Sequence, residues 1–244
     1  QHYVAPKIVV AVSGMIKPEE VVEKIKTLFG TISDFKGKEK IPVKESQKKP
    51  EAKLVYKKTD QTHIILGGRA YNIFDDRHYA AEILATILGG GMSSRLFGLL
   101  RDKMGAAYYV RTSADESTDT GYLATSAGID NRRVGEIIAA ILEEYKKIKK
   151  IKISESELNK AKEHIEGGLI LSIETSDELA SFYCFQEILK KEILEPEKFI
   201  KKIRAVTADA VLEVARDIFQ PEKLNLAMVG PFKEKELFAD LLKV

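Results

Sequence analysis

Arg101 and Tyr108 are the residues whose types and spacing suggest chemistry. They lie seven positions apart in GGGMSSRLFGLLRDKMGAAYYV, residues 89–110. A guanidinium presents several rigid donors that hold peptide carbonyls or a carboxylate. A phenol can donate to an oxyanion, the task of preorganised donors in acyl transfer. The residues alone leave a second reading open, in which Arg101 pairs with Asp102 or a nearby glutamate and Tyr108 packs in the core with its hydroxyl satisfied.

Other chemistries are incomplete in this sequence. His164 stands between Glu163 and Glu166 in the order E-H-x-E. A zinc helix of the zincin type needs two histidines facing the metal with a glutamate beside them. His2, His63 and His78 fall on other elements, and no HExxH, HxxEH or CxxC pattern occurs. The chain is therefore expected to hold no metal, with His164 on a helix surface or an interface. No GxSxG elbow accompanies Ser93 and Ser94. Gly89, Gly90 and Gly91 lack the GxxxxGK[ST] context of a phosphate loop and follow a helix, so helix termination and close packing explain them better.

The elements that position the pair follow from periodicity. Residues 76–88, with Ala81, Leu84, Ala85 and Leu88 on one face, predict a helix that the three glycines close. Ser93 or Ser94 caps the next helix, Leu96, Leu99 and Leu100 give it an apolar stripe, and Gly105 ends it. A strand over 107–113, an acidic Thr/Gly turn and a second strand over 121–129 predict an antiparallel return. Strand alternation turns Tyr109 to the face opposite Tyr108.

Upstream, 7–13 (KIVVAVS) predict a strand buried on both faces, and 18–29 a helix. Residues 35–53 are rich in lysine and proline and read as a linker, before strands at 54–57 and 63–68. Downstream, helices are expected at 131–149, about 154–175, 177–190 and 207–219, then a strand at 224–229 and a closing helix at 233–242. The segments KIVVAVSGMIKPEEVVEKIKTLF and LNLAMVGPFKEKELFADLL share one order of strand, glycine, Pro/Lys turn and amphipathic helix. That echo argues for a duplicated protein of which only the tail of the first copy is present. The initial Gln1 fits the same expectation of a fragment.

Thirty-nine basic and 37 acidic residues leave a net charge of +2, so no global field draws in nucleic acid. The linker lysines lack interleaved aromatics or arginines and read as solvated. Cys184 is the single cysteine and is expected as a buried, inert thiol. No run approaches the roughly 20 apolar residues of a membrane span, so no membrane insertion is expected. No signal peptide opens the chain, and a cytoplasmic location is the expectation.

With these residues in view, GGGMSSRLFGLLRDKMGAAYYV, the 121–129 strand and KAKEHIEGGLILSIET together resemble the pitrilysin (insulinase, processing-peptidase) family of zinc metallopeptidases. The likeness runs from YVAPKIVVAVSG to LNLAMVGPF, essentially the whole chain. It implies an α+β fold, a mixed sheet flanked by helices. One complete domain (54–244) would follow a linker (35–53) and the last strand and helix of a homologous catalytic-type domain (1–34). It also implies that Arg101 holds a backbone carbonyl of an extended peptide or unfolded polypeptide. Tyr108 would support the tetrahedral intermediate, and Gly89–Gly91 would line the substrate chamber. Zinc would belong to a missing N-terminal half bearing HxxEH, so this chain alone should be inactive. The catalytic N-terminal domain is the implied partner, within a homo- or heterodimer of the parent. The alternative is a catalytically silent structural or scaffold subunit.

Overall fold

A computed structural model describes residues 2–190, 192–233, 238 and 240–242. Contacts divide the chain into two compact units, 1–43 with 166–199, and 44–165 with 200–244. The helix expected over 233–242 lies, for most of its length, outside the described residues.

In the first unit, helix α1 (Pro18–Phe29) has the bounds its sequence predicts. Proline opens it, and Glu19 and Glu20 occupy the turn where the helix dipole favours acid. Of residues 7–13, expected as a strand, Lys7 ends a short 3-10 turn (Ala5–Lys7), residues 8–13 have no ladder partner among the described residues, and Val10 and Val12 are exposed. A strand exists only through hydrogen bonds to a neighbour, which local sequence cannot supply.

The helices of residues 134–218 follow the sequence expectation, with one addition. They are α4 (Val134–Lys150), α5 (Glu155–Ser172), α6 (Ser176–Leu189) and α8 (Ala208–Ile218), while the helix α7 (Pro196–Ala205) was not anticipated. Thr175 and Glu178 form a capping box at the start of α6. At its end the Gln186 amide bonds both the N–H and the carbonyl of Leu194, at 2.8 and 3.1 Å. Cys184, on α6, is half-buried rather than buried. Both α5 and α7 contribute residues to each unit.

The second unit is built on five strands: β1 (Glu51–Tyr56), β2 (Gln61–Ala70), β3 (Ala107–Glu116), β4 (Gly121–Asp130) and β5 (Leu224–Gly230). Their order in the sheet is β1-β5-β2-β4-β3, with β1 parallel to β5 and the remaining pairs antiparallel. The sheet is mixed and the fold is α+β, as expected. β1 begins within the lysine-rich segment, where the Gln47 amide donates to the Leu224 carbonyl at 3.0 Å.

Alternate residues decide the two faces. Ile64, Leu66, Leu123, Ile129, Leu226 and Met228 are buried, and α2 (His78–Gly89), α4 and α8 pack against this unit's strands. Between sheet and helix runs a buried hydroxyl chain. Thr112 Oγ1 meets Thr125 Oγ1 at 2.8 Å, Thr125 meets the Tyr145 hydroxyl at 2.7 Å, and Tyr145 donates to the Leu66 carbonyl at 3.0 Å. The Tyr145 ring stacks on Phe219 with centroids 3.9 Å apart. The opposite face, carrying His63, Ile65 and Tyr122, is open.

Candidate functional site

The helix bearing Arg101 starts as a short α segment, α3 (Arg95–Phe97), and continues as a π-helical stretch over Gly98–Lys103. Leu96 and Leu100 are fully buried and anchor it, which leaves Arg101 outward. Wide π turns are rare and change the direction of side chains relative to an α-helix. Gly105, at φ +58°, turns the chain out of the helix into β3. Ser94 occupies the N-cap position, as expected, but its hydroxyl donates to the Gly91 carbonyl at 2.6 Å instead of capping a helical N–H.

β3 enters the sheet through an irregularity. Ala107 faces Ile129 and Tyr109 faces Gly128, so Tyr108 is the extra residue of a bulge. The Arg101 Nη1 donates to the Tyr108 carbonyl at 2.6 Å, and the guanidinium lies 5.4 Å from the Phe97 ring centroid. Among the described residues Arg101 forms no ion pair, neither with Asp102 nor with a glutamate. Tyr108 is 57% exposed, and its hydroxyl has no hydrogen-bond partner among these residues, with Arg132 as its electrostatic neighbour. The structure therefore joins Arg101 to Tyr108 through the backbone and leaves the phenol free.

The bulge also overturns the argument from alternation. Tyr109 is exposed as well, and its hydroxyl meets His63 Nδ1 at 3.1 Å, with the two rings stacked at 6.0 Å. A Cβ at Gly128 would stand 2.5 Å from the Tyr109 ring, so the missing side chain gives the ring its seat. Sequence reasoning missed this His63–Tyr109 pair. Only the register of β2, β4 and β3 brings residues 46 positions apart together.

Gly89 ends α2 where the helix meets β3. A Cβ there would lie 2.4 Å from the Thr112 nitrogen, so close packing requires this glycine. Gly91 lines a polar cleft of about 400 Å³ with Ser93, Ser94, Lys160 and His164. Neither Arg101 nor Tyr108 lines that cleft. His164 Nε2 lies 3.1 Å from the Gly90 carbonyl.

The donors present do not suit zinc. His63 is engaged with Tyr109, His78 with Glu116 at 2.9 Å and His164 with a carbonyl. No group of three or more His, Cys, Asp or Glu among the described residues could hold a metal ion. No helix among them is long and apolar enough to cross a membrane.

Residues 1–165 match the family model described as the peptidase M16 inactive domain. An uncharacterized zinc protease of Streptomyces coelicolor is 28% identical over 242 residues, covering 97% of this chain and 52% of that protein. One of Bacillus subtilis is 29% identical over 231 residues, covering 94% of this chain and 55% of that protein. The crystal structure of a peptidase M16 inactive domain from Pseudomonas fluorescens shares the fold, with a TM-score of 0.81 at 17% identity over 96% of this chain and 56% of that one. This chain thus spans about half the length of the curated relatives it matches. The chain belongs to the peptidase M16 inactive-domain family of the zinc proteases.

Proposed function

We propose, from that membership, that this chain is the substrate-holding half of a zinc endopeptidase and completes an active site whose metal is carried by a catalytic domain outside it. In this reading 1–34 close the catalytic-type domain, 35–53 link the halves, and 54–244 form the non-catalytic domain. A homo- or heterodimer of the parent, resident in the cytoplasm, belongs to the same reading.

One observation carries it: an exposed phenol with no hydrogen-bond partner among the described residues sits on a bulge whose carbonyl Arg101 grips. β3 is also an edge of the sheet, so an extended peptide can add to it as a further strand. Arg101 then holds a carbonyl of that peptide with its remaining donors. The Tyr108 hydroxyl donates to the oxyanion that develops as the scissile carbonyl is attacked. Of the glycines expected to line the chamber, buried Gly89 packs α2 against β3, and Gly91 opens onto a separate cleft that neither Arg101 nor Tyr108 lines.

Tyr108→Phe in the full-length protein tests this. Loss of one oxyanion donor lowers kcat by about 10²–10³-fold, with KM little changed. An unchanged kcat removes the oxyanion role from Tyr108, whereas a full-length protein that cleaves no peptide at all is the outcome that favours a catalytically silent structural subunit.

A further inference from the structure

We propose that the open face of the sheet holds a second peptide subsite, which takes a large apolar C-terminal residue on Gly67, Ala124 and Ala227 and its carboxylate on Arg69. The proposal rests on the reading of this chain as a peptide-holding half.

The ladder explains why a trough forms there. Gly67 lies between Asn225 and Ala124 across the strands, and Ile65 between Ala227 and Ser126. A Cβ on Gly67 would stand 2.1 Å from the Leu123 carbonyl oxygen and 2.6 Å from the Ala124 Cα. The close approach of β4 therefore excludes any side chain at the centre of the floor. Small residues surround that gap, while Ile65 (52% exposed) and Tyr122 (51% exposed) stand as walls. The result is a mainly apolar cavity of about 530 Å³. That volume falls within the range of roughly 300–1,000 Å³ that holds small ligands.

Arg69 supplies the charge. It stands two residues beyond Gly67 on the same face of β2, about 7 Å along the strand. A single C-terminal residue bridges that separation between its carboxylate and a ring on the floor. The Arg69 Nε is buried with no acceptor, a costly state for a charged donor. Glu45, from the segment before β1, sets a carboxylate oxygen 3.3 Å from Arg69 Nη1 and also accepts from the Thr120 hydroxyl at 3.2 Å. Tight guanidinium–carboxylate bonds are about 2.7–2.9 Å long. Glu45 thus shows that a carboxylate reaches this guanidinium and that the existing contact is loose. A ligand carboxylate that engages Nε as well satisfies the orphaned donor and displaces Glu45.

The test is titration of the 244-residue chain with acetyl-Ala-Ala-Phe, as free acid and as C-terminal amide, each variant being checked for an unchanged far-UV spectrum. The acid is expected to bind roughly tenfold or more tightly than the amide. Ala227→Leu, on an exposed position of β5, fills the floor and weakens both. Arg69→Gln abolishes the preference for acid, and Arg69→Lys restores part of it. Glu45→Gln, by removing the competing carboxylate, tightens the acid. Equal affinity for acid and amide, no measurable binding of the acid, or indifference to Ala227→Leu each overturns the proposal. The difference between acid and amide reads the subsite alone, because the carbonyls that Arg101 would hold are common to both peptides, so the two readings fail separately. If longer peptides need Arg101 but ignore Arg69 and Ala227, only the subsite is lost. If they ignore Arg101 and Tyr108, only the function assigned to that pair is lost.

Discussion

The tyrosines divide by environment. The Tyr108 hydroxyl has no hydrogen-bond partner among the described residues and is open to solvent near Arg132, whereas Tyr109 is satisfied by His63 and Tyr145 by Thr125 and Leu66. A second residue has a measurable signature. Glu82, on α2, has its carboxyl pushed up to about 7, chiefly by burial and then by Glu116 and Asp115, against the opposing pull of His78 and Arg111. A carboxyl whose folded pKa exceeds its unfolded value stabilises fully below the unfolded value and loses that contribution as pH rises through the folded one. The melting temperature is therefore expected to decline between pH 5 and 8 in the wild type. Glu82→Gln should flatten this decline, and parallel curves for the two proteins would refute the assignment.

The elements are locked together by contacts that leave little slack. Gly89→Ala places a methyl on the Thr112 backbone, where overpacking costs about 1–3 kcal/mol; chemical denaturation of the variant should show that loss. Tyr145→Phe removes a hydroxyl from the buried Thr112–Thr125–Tyr145–Leu66 chain and strands its neighbours. The expected cost is again about 1–3 kcal/mol, and a midpoint equal to wild type would mean that the network is not structural. At the Arg101 corner the departures from regular geometry coincide, with a π-helical stretch followed by a bulge. Such irregularities persist when surrounding packing over-determines them, here through buried Leu96 and Leu100.

For the molecule as a whole, the two units differ in how much of themselves they bury. In the first, Val10, Val12, Leu28, Phe185 and Ile188 are exposed. In the second, a continuous core lies between the sheet and its helices. Hydrogen exchange on the 244-residue chain is expected to be fast at residues 9–13, which lack ladder partners among the described residues, and slow in β2 and β4, which are paired on both sides. If 1–34 complete a catalytic-type domain, residues 9–13 become protected in the longer protein. Equally fast exchange there would oppose that assignment.

Local signals in the chain are enough to place most of its helices and strands. Helical periodicity, glycine stops and capping residues are local signals, and α1 and the β3–β4 hairpin could be placed from them. Arg101 and Tyr108 stand as candidates because the resemblance to a known family is carried by a contiguous stretch. Even α7 left a trace, with Pro196 at its start and Phe199, Ile200 and Ile203 on one stripe, though charged residues around it obscured the period. Tertiary structure alone decided what depends on register and on neighbours. The bulge that exposes both Tyr108 and Tyr109, the meeting of His63 with Tyr109, and the trough beside Arg69 all arise from strands distant in sequence. Hydrogen bonds between strands fix those juxtapositions, and a pattern of period two gives the face of a residue but never its partner across the ladder.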